Sequence, residues 1–117
     1  MRKTLSFLLL ALAQIALSTF AALVLSNFPA LAVQSNRGAE IFSHNCAACH
    51  LGGGNIIIGD KSLHKSALSQ HHIHSTEAIA SQVKHGRKAM PAFKGRLSDS
   101  QIEEVAKYVL QQAETGW

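Results

Sequence analysis

The sequence predicts a small all-α domain of about four helices. Three observations carry that expectation. Residues 97–117, LSDSQIEEVAKYVLQQAETGW, read as one helix with its own start and stop signals. Two further stretches space their apolar residues three or four apart, as one face of a helix requires. No stretch after the N-terminal region alternates apolar and polar residues as a half-buried strand would.

The chain of 117 residues has room for one small domain at most, and its start does not look like part of it. Arg2 and Lys3 precede the apolar run TLSFLLLALAQIALSTFAALVLSNF, which is followed by PALA. A basic start, an apolar middle and an A-x-A end at Ala30 and Ala32 read as a secretory signal peptide over residues 1–32. The alternative is a retained membrane anchor, because the run approaches the ~20 residues that span a bilayer. Gln14, Ser18 and Thr19 interrupt the run and favour cleavage. In either case the domain at 33–117 is expected outside the cytoplasm.

The whole chain carries 11 Lys+Arg and 7 Asp+Glu, a formal charge of +4. Without Arg2 and Lys3 the surplus falls to +2. That is too weak and too scattered for nucleic acid, which calls for a clustered basic footprint. A domain this short with few aromatics has a thin core, and such domains usually need a disulfide, a metal or a cofactor to complete it.

The first helix of the domain is expected near SNRGAEIFSHN, with Gly38, Ile41 and Phe42 on its inner face. Gly38 lets another helix cross closely, and the terminal helix with Tyr108 is the expected partner. Directly after it comes CAACH. Cys46 and Cys49 are the only two cysteines, three apart, with His50 adjoining.

Four chemistries compete for that motif. A disulfide would leave His50 without a purpose. A redox-active dithiol needs a βαβ context, which is missing. Zinc needs a second ligand pair, for which only His71, His72 and His74 offer material. Covalent haem uses every residue. Positions i and i+3 share one face of a helical turn, so Cys46 and Cys49 can each form a thioether with one vinyl edge of a porphyrin, and His50 rises toward the iron. One motif implies one haem c.

After the loop LGGGNIIIGD a shorter helix is expected over KSLHKSALSQ. A third helix reads STEAIASQVKHG, capped by Ser75 or Thr76, with Ile79 and Val83 inside and Gly86 ending it. The stretch KAMPAFKGRL follows. Pro91 biases Met90 toward extended backbone, which suits a methionine held on a loop as a second axial ligand. Bis-histidine ligation through His71, His72, His74 or His85 is the competing arrangement. In the last helix Ser98 is the N-cap, Gln101 completes a capping box, and Leu97 and Ile102 form a hydrophobic staple. Ile102, Val105, Ala106, Val109, Leu110 and Ala113 make the buried stripe, and Gly116 stands where the chain leaves the helix.

The signal peptide, CAACH, GGGNIII, AMPAFKGRLSD and VAKYVLQQAETGW together resemble the cytochrome c6 (cytochrome c-553) family over residues 35–117. The resemblance implies a class I cytochrome c fold around one covalent haem. It implies His50 and Met90 as axial ligands, Gln82 at the haem edge, and Arg96 on a docking surface. It also implies an electron carrier rather than an enzyme, in the thylakoid lumen or periplasm. The cytochrome bf complex would be the donor and photosystem I the acceptor, with a terminal oxidase as a second acceptor. A respiratory carrier and a ligand-binding haem sensor or weak peroxidase are the alternatives. Lys84, Arg87, Lys88, Lys94 and Arg96 form a basic run with no acidic residue from 84 to 96, a rim that would steer an acidic partner into a small, transient interface. One segment departs from the family: SQHHIHST replaces a longer stretch with Tyr, Leu and Gly. Its histidines are expected to be solvated, with metal capture or pH sensing as the other use.

Overall fold

Helix α1, Pro29–Asn45, starts on a proline, whose missing N–H costs a first turn nothing. The computed structural model describes the backbone from residue 29 and side chains from residue 37. The apolar run of the expected signal peptide, before residue 29, therefore lies outside the described residues, and its A-x-A end at Ala30 and Ala32 falls in the first turn of α1. Among those described, no helix is long and apolar enough to cross a membrane.

Four α-helices follow: α2 (Ala47–His50), α3 (Lys65–Gln70), α4 (Thr76–His85) and α5 (Asp99–Thr115). Single 3₁₀ turns lie at Leu51–Gly53 and Gly59–Lys61. The only paired extended residues described are two isolated bridges, Arg87 with Met90 and Lys94 with Leu97. The class is therefore all-α, with the CxxCH turn as a fifth, one-turn helix. The helix expected from Lys61 starts later, at Lys65, because Gly59–Lys61 closes a separate 3₁₀ turn first.

The strongest local signals produce the elements they predict. The Ser98 side chain accepts from the Gln101 N–H, and Gln101 Oε1 accepts from the Ser98 N–H, so the capping box is complete. Ser75, not Thr76, caps α4 by accepting from the Ala78 N–H. Gly86 ends α4 at φ 66.

The core is built on α5. Ile102, Val105, Ala106, Val109 and Ala113 are buried, and they pack with Phe42 of α1, Leu68 of α3, and Ile79 and Val83 of α4. α4 packs mainly against α5. α1 crosses α5 at Gly38, where a β-carbon would come within 2.6 Å of the Glu104 carbonyl oxygen and 2.8 Å of Tyr108 Cβ. That is closer than any side chain tolerates, so only glycine permits the crossing. Glu104 is itself buried at 6% exposure in the middle of the apolar stripe. Arg37 reaches its carboxylate from α1, Nη1 to Oε1 at 3.4 Å.

The C-terminus closes the fold. Trp117 stacks near Phe42, centroids 5.1 Å apart, and meets Tyr108 edge-on at 6.1 Å. Its indole Nε1 donates to the Leu63 carbonyl at 3.1 Å.

Candidate haem site

One cavity lies between α1, the CxxCH turn, α4, α5 and the Met90 loop. Cys46, Cys49, His50, Gln82 and Met90 all line it. The wall is mostly apolar, with Phe42, Leu68, Ile79, Val83, Phe93 and Val105 behind these side chains.

The CxxCH turn is held by its own backbone. The N–H groups of Cys49 and His50 donate to the Cys46 carbonyl at 3.1 and 2.9 Å. That winds both thiols onto the cavity side. Burial pushes the Cys46 thiol up to about 11, and the neighbouring Cys49 adds to the rise. A redox-active dithiol needs the opposite, a thiol whose pKa is depressed.

His50 is oriented through its far nitrogen. Nδ1 lies 2.9 Å from the Gly54 carbonyl oxygen. A carbonyl can only accept, so Nδ1 carries the proton and Nε2 keeps a free lone pair. Asn55 stiffens the loop that supplies this carbonyl. Its Oδ1 accepts from the N–H groups of Ile57 and Ile58 at 3.0 and 2.9 Å, and its Nδ2 donates to the Lys61 carbonyl at 3.1 Å.

Met90 sits on a two-residue turn. Arg87 and Met90 exchange both backbone hydrogen bonds at 3.0 Å, with Lys88 at φ 53 between them. Gly86 makes this turn feasible. A β-carbon there would fall 2.6 Å from the Met90 carbonyl oxygen and from the Ala92 nitrogen. The Phe93 N–H then donates to Val83 and the Lys94 N–H to Lys84, which zips the loop to the end of α4. The Gln82 amide Nε2 donates to Met90 Sδ at 3.8 Å.

The other residues singled out in the sequence divide. His72, His74 and His85 are exposed and do not line the cavity. His71 departs from the expected solvated loop. It is half-buried, lines the cavity and contacts Asp60, because the turn after α3 folds back on the Gly59–Lys61 turn. Lys88, Lys94 and Arg96 are exposed. Arg96 lies over the Phe93 ring at 5.0 Å. Lys84 is not a free member of the basic rim, since it pairs with Asp99 at 2.7 Å. Among the described residues no cluster of three His, Cys, Asp or Glu side chains could hold a separate metal ion. Asn55 and Trp117 were not singled out as working residues. Each acts through partners that no local pattern announces.

The donor set fits a covalent haem. Two thiols, an oriented imidazole and a thioether converge on one apolar cavity in an all-α domain, which is the make-up of a c-type cytochrome. The comparisons with known proteins narrow this. Residues 33–109 match the family model described as cytochrome C oxidase, cbb3-type, subunit III. The cytochrome c6 of Thermosynechococcus vestitus is 56% identical over 97 residues, covering 82% of this chain and 87% of that protein. The cytochrome c6 of Nostoc sp. is 50% identical over 117 residues, covering 100% of this chain and 99% of that one. The crystal structure of cytochrome c6 from the diatom Phaeodactylum tricornutum superposes with a TM-score of 0.69 at 52% identity, covering 71% of this chain and 98% of that one. Oxidized cytochrome c6A from Arabidopsis thaliana superposes equally well, at a TM-score of 0.69, with only 32% identity.

The chain belongs to the cytochrome c6 family. Its cofactor is one covalently bound haem c, and its work is electron transport.

Proposed function

We propose that this protein carries single electrons from the cytochrome bf complex to photosystem I, with His50 and Met90 as axial ligands. The observation that carries the reading is the convergence of Cys46, Cys49, His50 and Met90 on one cavity. When bound, haem c supplies a reversible one-electron iron couple.

The chain's residues do the rest. Cys46 and Cys49 would anchor the cofactor through thioethers. His50 offers Nε2, aimed by the Gly54 carbonyl. Met90 offers Sδ from a turn closed by the Arg87–Met90 backbone pair and packed against Gly86. With His50 and Met90 both offered to the iron, the chain would leave no position there for a substrate, which supports an electron carrier rather than an enzyme. Gln82 acts at the haem edge by drawing electron density from the Met90 sulfur. Arg87, Lys88, Lys94 and Arg96 lie on or near the loop that carries Met90, and are exposed. They form the rim that attracts an acidic partner, over a contact area small enough to release it.

A redox titration of the holoprotein with its visible spectrum tests the ligation. A strongly positive midpoint and a single one-electron step support His50/Met90. A markedly lower midpoint would move the axial role to a histidine. Deleting the gene and timing photosystem I re-reduction after a flash tests the partner. Unchanged kinetics would shift the role to a terminal oxidase.

A further inference from the structure

His71 lines the cavity wall and has no part in electron carriage as argued above. Its Nε2 lies 3.1 Å from the Asp60 carbonyl oxygen and 3.7 Å from Asp60 Oδ2. The side chain is 22% exposed, so it stands between the cavity and water. The carbonyl accepts and never donates, so this contact puts the ring N–H on Nε2 and leaves Nδ1 as the nitrogen with a free lone pair, with the Asp60 carboxylate beside the ring.

We propose that His71 is a proton-binding site linked to the redox state of the haem, so that the protein takes up a proton with the electron over part of the pH range. The proposal rests on the haem electron-carrier reading above. Reduction adds one electron from the donor and removes one positive charge from the cavity. A proton from solvent then binds Nδ1 of His71 more tightly. Oxidation restores the charge and returns that proton to solvent. Because the coupling is reciprocal, protonated His71 must also raise the reduction potential.

The charged surroundings leave His71 as the residue that carries this link. From the turn at Gly59–Lys61, Asp60 contacts it and Lys61 lines the same cavity, one of each sign. On its own segment His72 and His74 point to solvent. Across the cavity Arg87 and Lys88 are permanent cations. Of the groups facing the cavity near it, His71 is the one whose ordinary range falls between pH 5 and 8 without serving the iron.

The test is the midpoint potential of the holoprotein from pH 5 to 8.5, with the His71 ring followed by NMR in both oxidation states. The wild type should show a potential that falls with rising pH across the imidazole range and is flat on either side. The His71 ring signals should change with pH at a higher midpoint in the reduced protein than in the oxidised one. In His71→Gln the step should vanish while the visible spectrum stays that of the wild type. In Asp60→Asn the step should move to lower pH. Wild-type potential without a step, or a step that persists in His71→Gln, overturns the proposal. A His71→Gln protein with an altered axial spectrum also overturns it, since His71 would then act on the iron directly. If that variant does not accumulate, Asp60→Asn and the wild-type ring titration decide alone. A wild-type protein without the spectrum of a His/Met haem would instead fail the underlying reading.

Discussion

The Gln82 amide, on α4, reaches the Met90 sulfur at 3.8 Å across the turn that Gly86 opens. A thioether has two lone pairs, so one can serve the iron while the other accepts from the amide. Withdrawing density from the sulfur favours the reduced state. A net hydrogen bond of about 0.5–1.5 kcal/mol corresponds to roughly 20–60 mV for one electron. Gln82→Leu should lower the midpoint by that amount with the His/Met spectrum intact. An unchanged midpoint would remove Gln82 from any role at the iron.

Met90→Ala should open one axial position. The ferrous variant should bind carbon monoxide rapidly at neutral pH, while the wild type does not. The midpoint should fall by roughly 0.1–0.3 V, since axial ligand identity spans ~0.8 V in haem proteins. A variant that keeps its spectrum and potential would show that another residue holds that position.

Gly38→Val tests the helix crossing rather than the haem. Its side chain would collide with backbone at Glu104 and with Tyr108. Overpacking of this kind costs about 1–3 kcal/mol or more. Denaturant unfolding of the holoprotein should show a lower midpoint with the visible spectrum unchanged before the transition.

Asp99 sits in the first turn of α5 and its carboxylate is held below the usual range by the hydrogen bond and charge of Lys84. A carboxylate whose folded pKa is depressed contributes stability above its unfolded pKa and loses it as pH falls through the folded value. Asp99→Asn should therefore be slightly less stable than wild type at pH 7. The difference should fade as pH falls through the folded value, which lies below the usual carboxylate range, once the Asp99 carboxyl is neutral in both the folded and the unfolded chain. Because Asp99 is fully exposed, the effect at pH 7 is small and should shrink further in high salt. A gap that persists at low pH would show that charge is not its cause.

Lys88→Glu with Lys94→Glu should slow photosystem I reduction several-fold at low ionic strength, and the rates should converge with wild type in high salt. Equal rates at low salt would place the docking surface elsewhere.

The features that were legible in the sequence are those that a local pattern encodes. The Ser98–Gln101 capping box, the α5 stripe, the CxxCH turn and the pre-proline Met90 all involve residues within a few positions of one another. Backbone geometry turns such spacings directly into a shared face or a cap. Even Gly38 could be read, because a small residue on an otherwise inner helix face has few other uses.

What the tertiary structure alone decided are the contacts between residues far apart in the chain. Trp117 bonds to the Leu63 carbonyl and covers the Phe42–Tyr108 pair. Glu104 is buried in an apolar stripe because α1 brings Arg37 to it. His71 looks like one of three loop histidines until the Gly59–Lys61 turn puts Asp60 against it. No periodicity encodes such pairs, since each depends on how separate elements dock. The physical reason is that burial and charge compensation are properties of the assembled core. A residue type shows what a side chain is able to do, and packing determines which partner it does it with.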